Sequence, residues 1–193
     1  MRIILLSEVS VKHNLTFKLT ATAILSTMAL ITFLIESLFP AFIIPGARFG
    51  LANVFILLAL ILLGAKEACF VFLVKILLGS ILSGNLSSMM YSLPSGVASF
   101  ILQAFLVKKC SNMFTLTAIS AVSAVLNSVL QNVVYVIVTS TPSLFLYLPY
   151  LVLLGFIAGI TVGITCYLII KFLPQKLIDK LSFEGELDEG QKR

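Results

Sequence analysis

Residues 51–82 read LANVFILLALILLGAKEACFVFLVKILLGSIL, and the two apolar runs in this stretch decide the fold. Leu51 to Leu63 and Ala68 to Leu82 are divided by Gly64, Ala65, Lys66 and Glu67. Each run is too short to cross a hydrocarbon core of about 30 Å, which takes roughly 20 apolar residues as a helix. Each is also too uniformly apolar to lie on the surface of a soluble domain. A glycine followed by charges ends one helix and opens the next, so the stretch predicts a tight hairpin of two short helices inside a membrane bundle. Lys75, near the middle of the second run, is the one charge inside either run.

Upstream, Leu19 to Phe39 is a full-length apolar run that stops at Pro40. Ala41 to Gly50 follows, with Pro45, Gly46, Arg48 and Gly50 in an apolar setting, and predicts a re-entrant loop after helix 1. Downstream, Gly84 and Asn85 precede a fourth helix from Leu86 to Val107, which Pro94 and Gly96 should kink and Lys108 and Lys109 should end. The fifth helix is expected from about Phe114 to Val138 and the sixth from about Phe145 to Leu173, with Pro149 as an alternative start. Leu177, Ile178 and Leu181 suit an interfacial helix, and the acidic stretch from Glu184 to Glu189 a disordered tail. Met1 to Leu6 holds too short an apolar run for a cleaved signal peptide and reads as part of a cytosolic leader. The expected organisation is therefore a leader over residues 1–18, an all-α bundle of six transmembrane helices over 19–173, and an interfacial segment with its tail over 174–193.

Composition agrees. The chain has 193 residues, 60% hydrophobic and 11% charged, with a mean hydropathy of +1.13. Soluble domains carry about 25% charged residues. Six spans at roughly 20 residues each leave no room for a separate soluble domain, which excludes a conventional soluble enzyme, a DNA-binding module and a disulfide scaffold. The net charge of +5 reports topology rather than nucleic-acid binding. With both termini cytosolic, Arg2, Lys12, Lys18, Lys66, Lys108, Lys109, Lys171, Lys176, Lys180, Lys192 and Arg193 all fall inside, eleven of the thirteen basic residues. Cys69, Cys110 and Cys166 form no CxxC pair and read as buried or interfacial thiols.

Catalysis and metal binding need clusters of titratable groups, which the apolar segments lack. The one histidine is His13 in the leader, and the one acid in a membrane segment is Glu36. No catalytic residue, metal or cofactor is expected. Binding is better supplied. Lys75 costs about 3 kcal/mol in a bilayer unless paired or wet, so it either holds an anionic substrate or pairs internally, with Glu36 as candidate, or snorkels. Arg48 is either an anion fork at a pocket mouth or a staple to Glu36. On helix 5, Ser120, Ser123, Asn127, Gln131 and Tyr135 form a polar stripe at helical spacing, which lines a cavity or bonds neighbouring helices, and Gln103 on helix 4 is placed to face the same space. Asn53 either caps the re-entrant loop or touches ligand. Gly155, Gly159 and Gly163 make a GxxxGxxxG ridge for a partner helix, within the bundle or on another membrane protein.

The string Pro45-Gly46-Ala47-Arg48-Phe49-Gly50-Leu51-Ala52-Asn53, with Lys75 to Ser80, Ser92 to Gly96 and Leu148-Pro149-Tyr150 before the helix 6 glycines, resembles the membrane-protein family labelled heptaprenyl diphosphate synthase component I, also called the Gx transporter family. The resemblance runs from about Phe33 to Phe172. It implies likeness to the S components of energy-coupling factor transporters, six-helix bundles whose outward pocket is capped by the loop after helix 1. Family members usually have Arg where this chain has Lys75, and a His-Asn pair where it has Asn127 and Ser128 ahead of Gln131. The positive charge is kept and the histidine is not, so substrate identity does not carry over. The implied function is capture of a small, anionic vitamin or quinone or isoprenoid precursor at a bacterial cytoplasmic membrane, with Arg48, Asn53, Lys75, Gln103, Asn127, Gln131 and Tyr135 as substrate-binding residues. Uptake then requires a transmembrane coupling protein and two ATPases. The alternative is a non-catalytic membrane component associated with heptaprenyl diphosphate or menaquinone synthesis.

Overall fold

The computed structural model describes residues 15–38, 50–84, 86–110 and 114–173. Among them are six α-helices and no strand: α1 (Leu15–Leu38), α2 (Asn53–Leu62), α3 (Ala65–Leu82), α4 (Leu86–Cys110), α5 (Leu116–Thr139) and α6 (Leu148–Phe172). The loop expected after helix 1, with Arg48, lies outside the described residues, as do most of the leader and the whole of 174–193.

The hairpin forms where the charged break predicts it. Gly64 opens α3 at φ 103°, a left-handed conformation that L side chains rarely adopt. Asn53 is 10 residues before Leu63, and Lys75 is 11 residues after Gly64. At 1.5 Å per residue, each stands about 15 Å from the turn, so antiparallel packing brings them level. Lys75 Nζ donates to Asn53 Oδ1 at 2.6 Å.

Four stretches are long and apolar enough to cross a membrane: Phe17–Leu38, Met89–Cys110, Leu116–Thr139 and Pro142–Phe172. The chain is a multi-pass membrane protein. α2 has a different job. Its side chains Val54, Ile56, Leu57, Leu58, Ala59, Leu60 and Leu62 are all buried, packed among α1, α3 and α6 as the apolar centre of the bundle. Ile24, Ile31, Leu38, Ile101, Phe105, Ile137 and Phe172 are instead exposed on the outer surface, the reverse of a soluble protein and what a lipid solvent favours.

Helix ends follow local chemistry. Ser140 ends α5 in the left-handed conformation, and a 3₁₀ turn, Pro142–Tyr147, carries the chain to α6. The sixth helix therefore begins at Leu148 rather than Phe145. Pro149 fits there because the first turn of a helix does not need its missing N–H. α4 runs through Pro94 and on past both lysines to Cys110. Beside the proline, Ser95 Oγ donates to Tyr91 O at 2.8 Å; the carbonyl that the proline leaves without an N–H is Met90 O, one residue earlier.

The glycine ridge of α6 faces α5 of the same chain. A Cβ on Gly159 would lie 2.6 Å from Ala121 Cα, and one on Gly163 2.6 Å from Thr117 Cα. The two backbones pack too closely for any larger residue, and α5 with α6 is the most extensive helix pair in the bundle.

Candidate functional site

Alternating chain direction puts the C-terminal halves of α1, α3 and α5 and the N-terminal halves of α2, α4 and α6 at one end of the bundle. In that half lies a cavity of about 150 Å³. Its position follows from the hairpin, because α2 stops level with Lys75 and leaves the space beyond to side chains.

Lys75 is 9% exposed on the α3 wall. Besides its bond to Asn53, its ammonium stands 5.8 Å from the centroid of the Phe33 ring, within cation–π range. Gly79, one turn further along α3, makes room for that ring: a Cβ there would meet Phe33 at 2.5 Å. Glu36, at the end of α1, lines the cavity and accepts a hydrogen bond from the Leu51 backbone N–H. This bond joins the last turn of α1 to the entry of α2.

The opposite wall is built by α4 and α5. Gln103, Ser120, Ser123, Asn127, Gln131 and Tyr135 all line the cavity, so the helical stripe on α5 and the amide on α4 share one space. Ser99 Oγ donates to Gly96 O at 3.0 Å and lies 3.4 Å from Asn127 Oδ1. Tyr91 and Tyr135 meet edge to face at 5.0 Å, and Phe72 and Phe100 stack at 5.5 Å. Of the residues singled out in the sequence, Asn53, Lys75, Gln103, Asn127, Gln131 and Tyr135 come together here. Arg48 lies outside the described residues.

Reading the stripe missed Asn132. This residue is 4% exposed, lines the cavity, and donates from Nδ2 to Leu144 O of the 3₁₀ turn at 3.3 Å. Its Oδ1 is the one buried side-chain polar atom without a hydrogen-bond partner among the described residues. The signal was a second i, i+4 pair, Ser128 and Asn132, beside the Asn127 and Gln131 pair.

Such a set can bind a small polar molecule inside an apolar bundle. No group of three or more metal-ligating side chains occurs among the described residues. Residues 25–169 match the family described as heptaprenyl diphosphate synthase component I. The chain belongs to this family. No curated protein and no solved structure matches it. The family name and the apolar helices fit a membrane-associated component of heptaprenyl diphosphate synthesis, and the words "component I" imply a partner synthase component and suggest a non-catalytic subunit.

Proposed function

We propose that the chain is a membrane-embedded substrate-binding subunit, similar to an energy-coupling factor S component, for uptake of a small anionic vitamin or quinone or isoprenoid precursor. The observation that carries this reading is the polar cavity itself, with a buried lysine on one wall and an amide and hydroxyl wall opposite. Burying this much polar surface in a bundle otherwise lined by Leu, Ile and Phe is costly unless ligand or water completes the hydrogen bonds. The volume also selects. An apolar cavity of about 150 Å³ holds benzene, so the space among the described residues suits a single small ring and its substituents. A heptaprenyl chain of seven isoprene units is far too large.

The subunit has no motor of its own in this reading, so it works with a transmembrane coupling protein and two cytosolic ATPases. Both termini face the cytosol in this reading, and the cavity lies in the outward half of the bundle. Gentle purification from native membranes tests the partnership: the prediction is recovery together with a coupling protein and ATPases. Recovery with a soluble prenyl synthase would favour the second reading.

That second reading rests on the family name, in which the chain is a non-catalytic membrane component of heptaprenyl diphosphate or menaquinone synthesis. A synthase would then dock at the end carrying Lys66, Lys108 and Lys109, and the cavity would take no part.

A further inference from the structure

The deep end of the cavity, away from Lys75, carries polar groups that the bundle itself leaves unused. Gln103 on α4 is 8% exposed and Ser120 on α5 is 2% exposed, and both line the cavity. Neither side chain has a hydrogen bond among the described residues. The one sealed polar atom without a partner is Asn132 Oδ1, so the Gln103 amide and the Ser120 hydroxyl open onto the space they line. Ser123 and Ser128, further along α5, instead donate to Ile119 O and Ala124 O in their own helix. Helix register fixes how far this end lies from Lys75. A Cβ on Gly96 would meet both Phe72 and Ile76, which sets Gly96 of α4 level with the turn of α3 that carries Lys75. Gln103 is seven residues beyond Gly96, about 10 Å along the helix. Ser99 opposite Asn127 and Tyr91 opposite Tyr135 give α4 and α5 a single register, which puts Ser123 level with Gln103 and Ser120 a turn deeper. The stacked pair of Phe72 and Phe100 stands between the two levels.

We infer that the ligand is two-ended: a carboxylate at Lys75 and, at the opposite end of a single ring, a neutral amide-type group that pairs with the Gln103 carboxamide beside Ser120. A carboxamide carries both N–H donors and a carbonyl acceptor, so another amide matches it in full, whichever way Gln103 is turned. The group at that end is neutral because the charged residues lining the cavity among the described residues, Glu36 and Lys75, both belong to its other end. A Gln103 amide left unpaired at this depth is costly, and the ligand's amide removes that cost. The axial offset of about 10 Å leaves room for one ring with a polar group at each end, lying beside Phe72 and Phe100. This inference rests on the cavity being a binding site, and it concerns what is bound there.

Three probes separate its parts: benzoate has the acid alone, 4-carbamoylbenzoate adds an amide at the opposite end of the ring, and 3-carbamoylbenzoate carries the same amide at the wrong angle. Binding is measured calorimetrically on the full chain in lipid nanodiscs. The expected result is that 4-carbamoylbenzoate binds about ten-fold more tightly than benzoate, the effect of one added net hydrogen bond, and that 3-carbamoylbenzoate gains little over benzoate. Gln103→Met, which keeps the length of the side chain and removes its amide, should bring the ratio of the first two affinities close to one. If that variant does not fold, Ser120→Ala carries the same test and should narrow the ratio. Equal binding of benzoate and 4-carbamoylbenzoate, a 3-isomer as tight as the 4-isomer, a ratio that survives these variants, or no binding of any probe would each overturn the two-ended assignment. In any of those cases a small molecule still retained by the purified protein would leave the binding role standing, and a protein that retains none would remove that role as well.

Discussion

Lys75 donates to the amide oxygen of Asn53 across the hairpin, and the consequence is measurable. Asn53→Leu takes an acceptor from a buried ammonium and should destabilise the protein by about 1–3 kcal/mol. Asn53→Leu with Lys75→Met replaces both partners by apolar groups and should recover most of that loss, since exchanging a buried polar pair for well-packed apolar residues is often near neutral. Thermal unfolding in detergent checks this, and simple additivity of the two single changes would contradict it. Glu36→Gln should be milder, because the amide keeps an oxygen for the Leu51 N–H. Lys75→Met should abolish ligand binding with the fold intact. If Glu36→Gln and Lys75→Met lowered thermal stability equally and left ligand affinity unchanged, Lys75 would be reduced to a structural ion pair. Lys75 was legible in the sequence because a charge amid apolar residues stands out by itself. Its contact with Asn53 was not, since a bond across 22 residues depends on how deep each helix begins.

Among elements, the α5–α6 contact sets one wall of the cavity and should be the most sensitive to side-chain size. A Cβ on Gly159 meets backbone, at 2.6 Å from Ala121 Cα and 2.9 Å from Ser120 O. A Cβ on Gly155 meets chiefly the Ser128 hydroxyl, which can rotate away, and comes no nearer to backbone than 3.2 Å, at Ala124 O. Gly159→Ala should therefore cost about 1–3 kcal/mol, the range for overpacking, and Gly155→Ala clearly less. Equal melting temperatures for the two would mean that the helices are not locked at Gly159. The GxxxGxxxG spacing announced a close helix contact but not its partner, because the same ridge serves packing inside one chain or between chains. The helix order and the short hairpin were readable from hydropathy and breakers alone. The course of α4 through Pro94 was readable too, as one helix, but its extension past Lys108 and Lys109 to Cys110 was not, because two charges near a helix end do not by themselves stop the backbone ladder. Asn132 was overlooked because a single-face reading of α5 follows one stripe, and the helix uses two.

For the whole molecule, the bundle places Lys66, Lys108 and Lys109 toward one end and Gly84 and Ser143 toward the other. In the proposed orientation, which follows the distribution of basic residues, the first end lies in the cytosol. Single cysteines in a background lacking Cys69, Cys110 and Cys166 report this directly. Position 143 should react with a membrane-impermeant thiol reagent on intact cells, and positions 66 and 108 should react only after permeabilisation. The salt bridge between Lys18 and Glu67, at 2.5 Å, sits at the end that carries Lys66 and ties α1 to the start of α3. It should contribute little, about 0–1 kcal/mol, as partly exposed ion pairs do. In that orientation the cavity in the other half would face outward, toward the side from which the proposed substrate would be captured.

The central claim is that this cavity holds a small molecule, and native mass spectrometry of the protein purified from its own membranes tests it most directly. The account predicts a species heavier than the bare chain by one small ligand, released on mild activation and lost in Lys75→Met at unchanged helicity. A wild-type protein that appears only as the bare chain, or a bound mass that Lys75→Met retains, would contradict it.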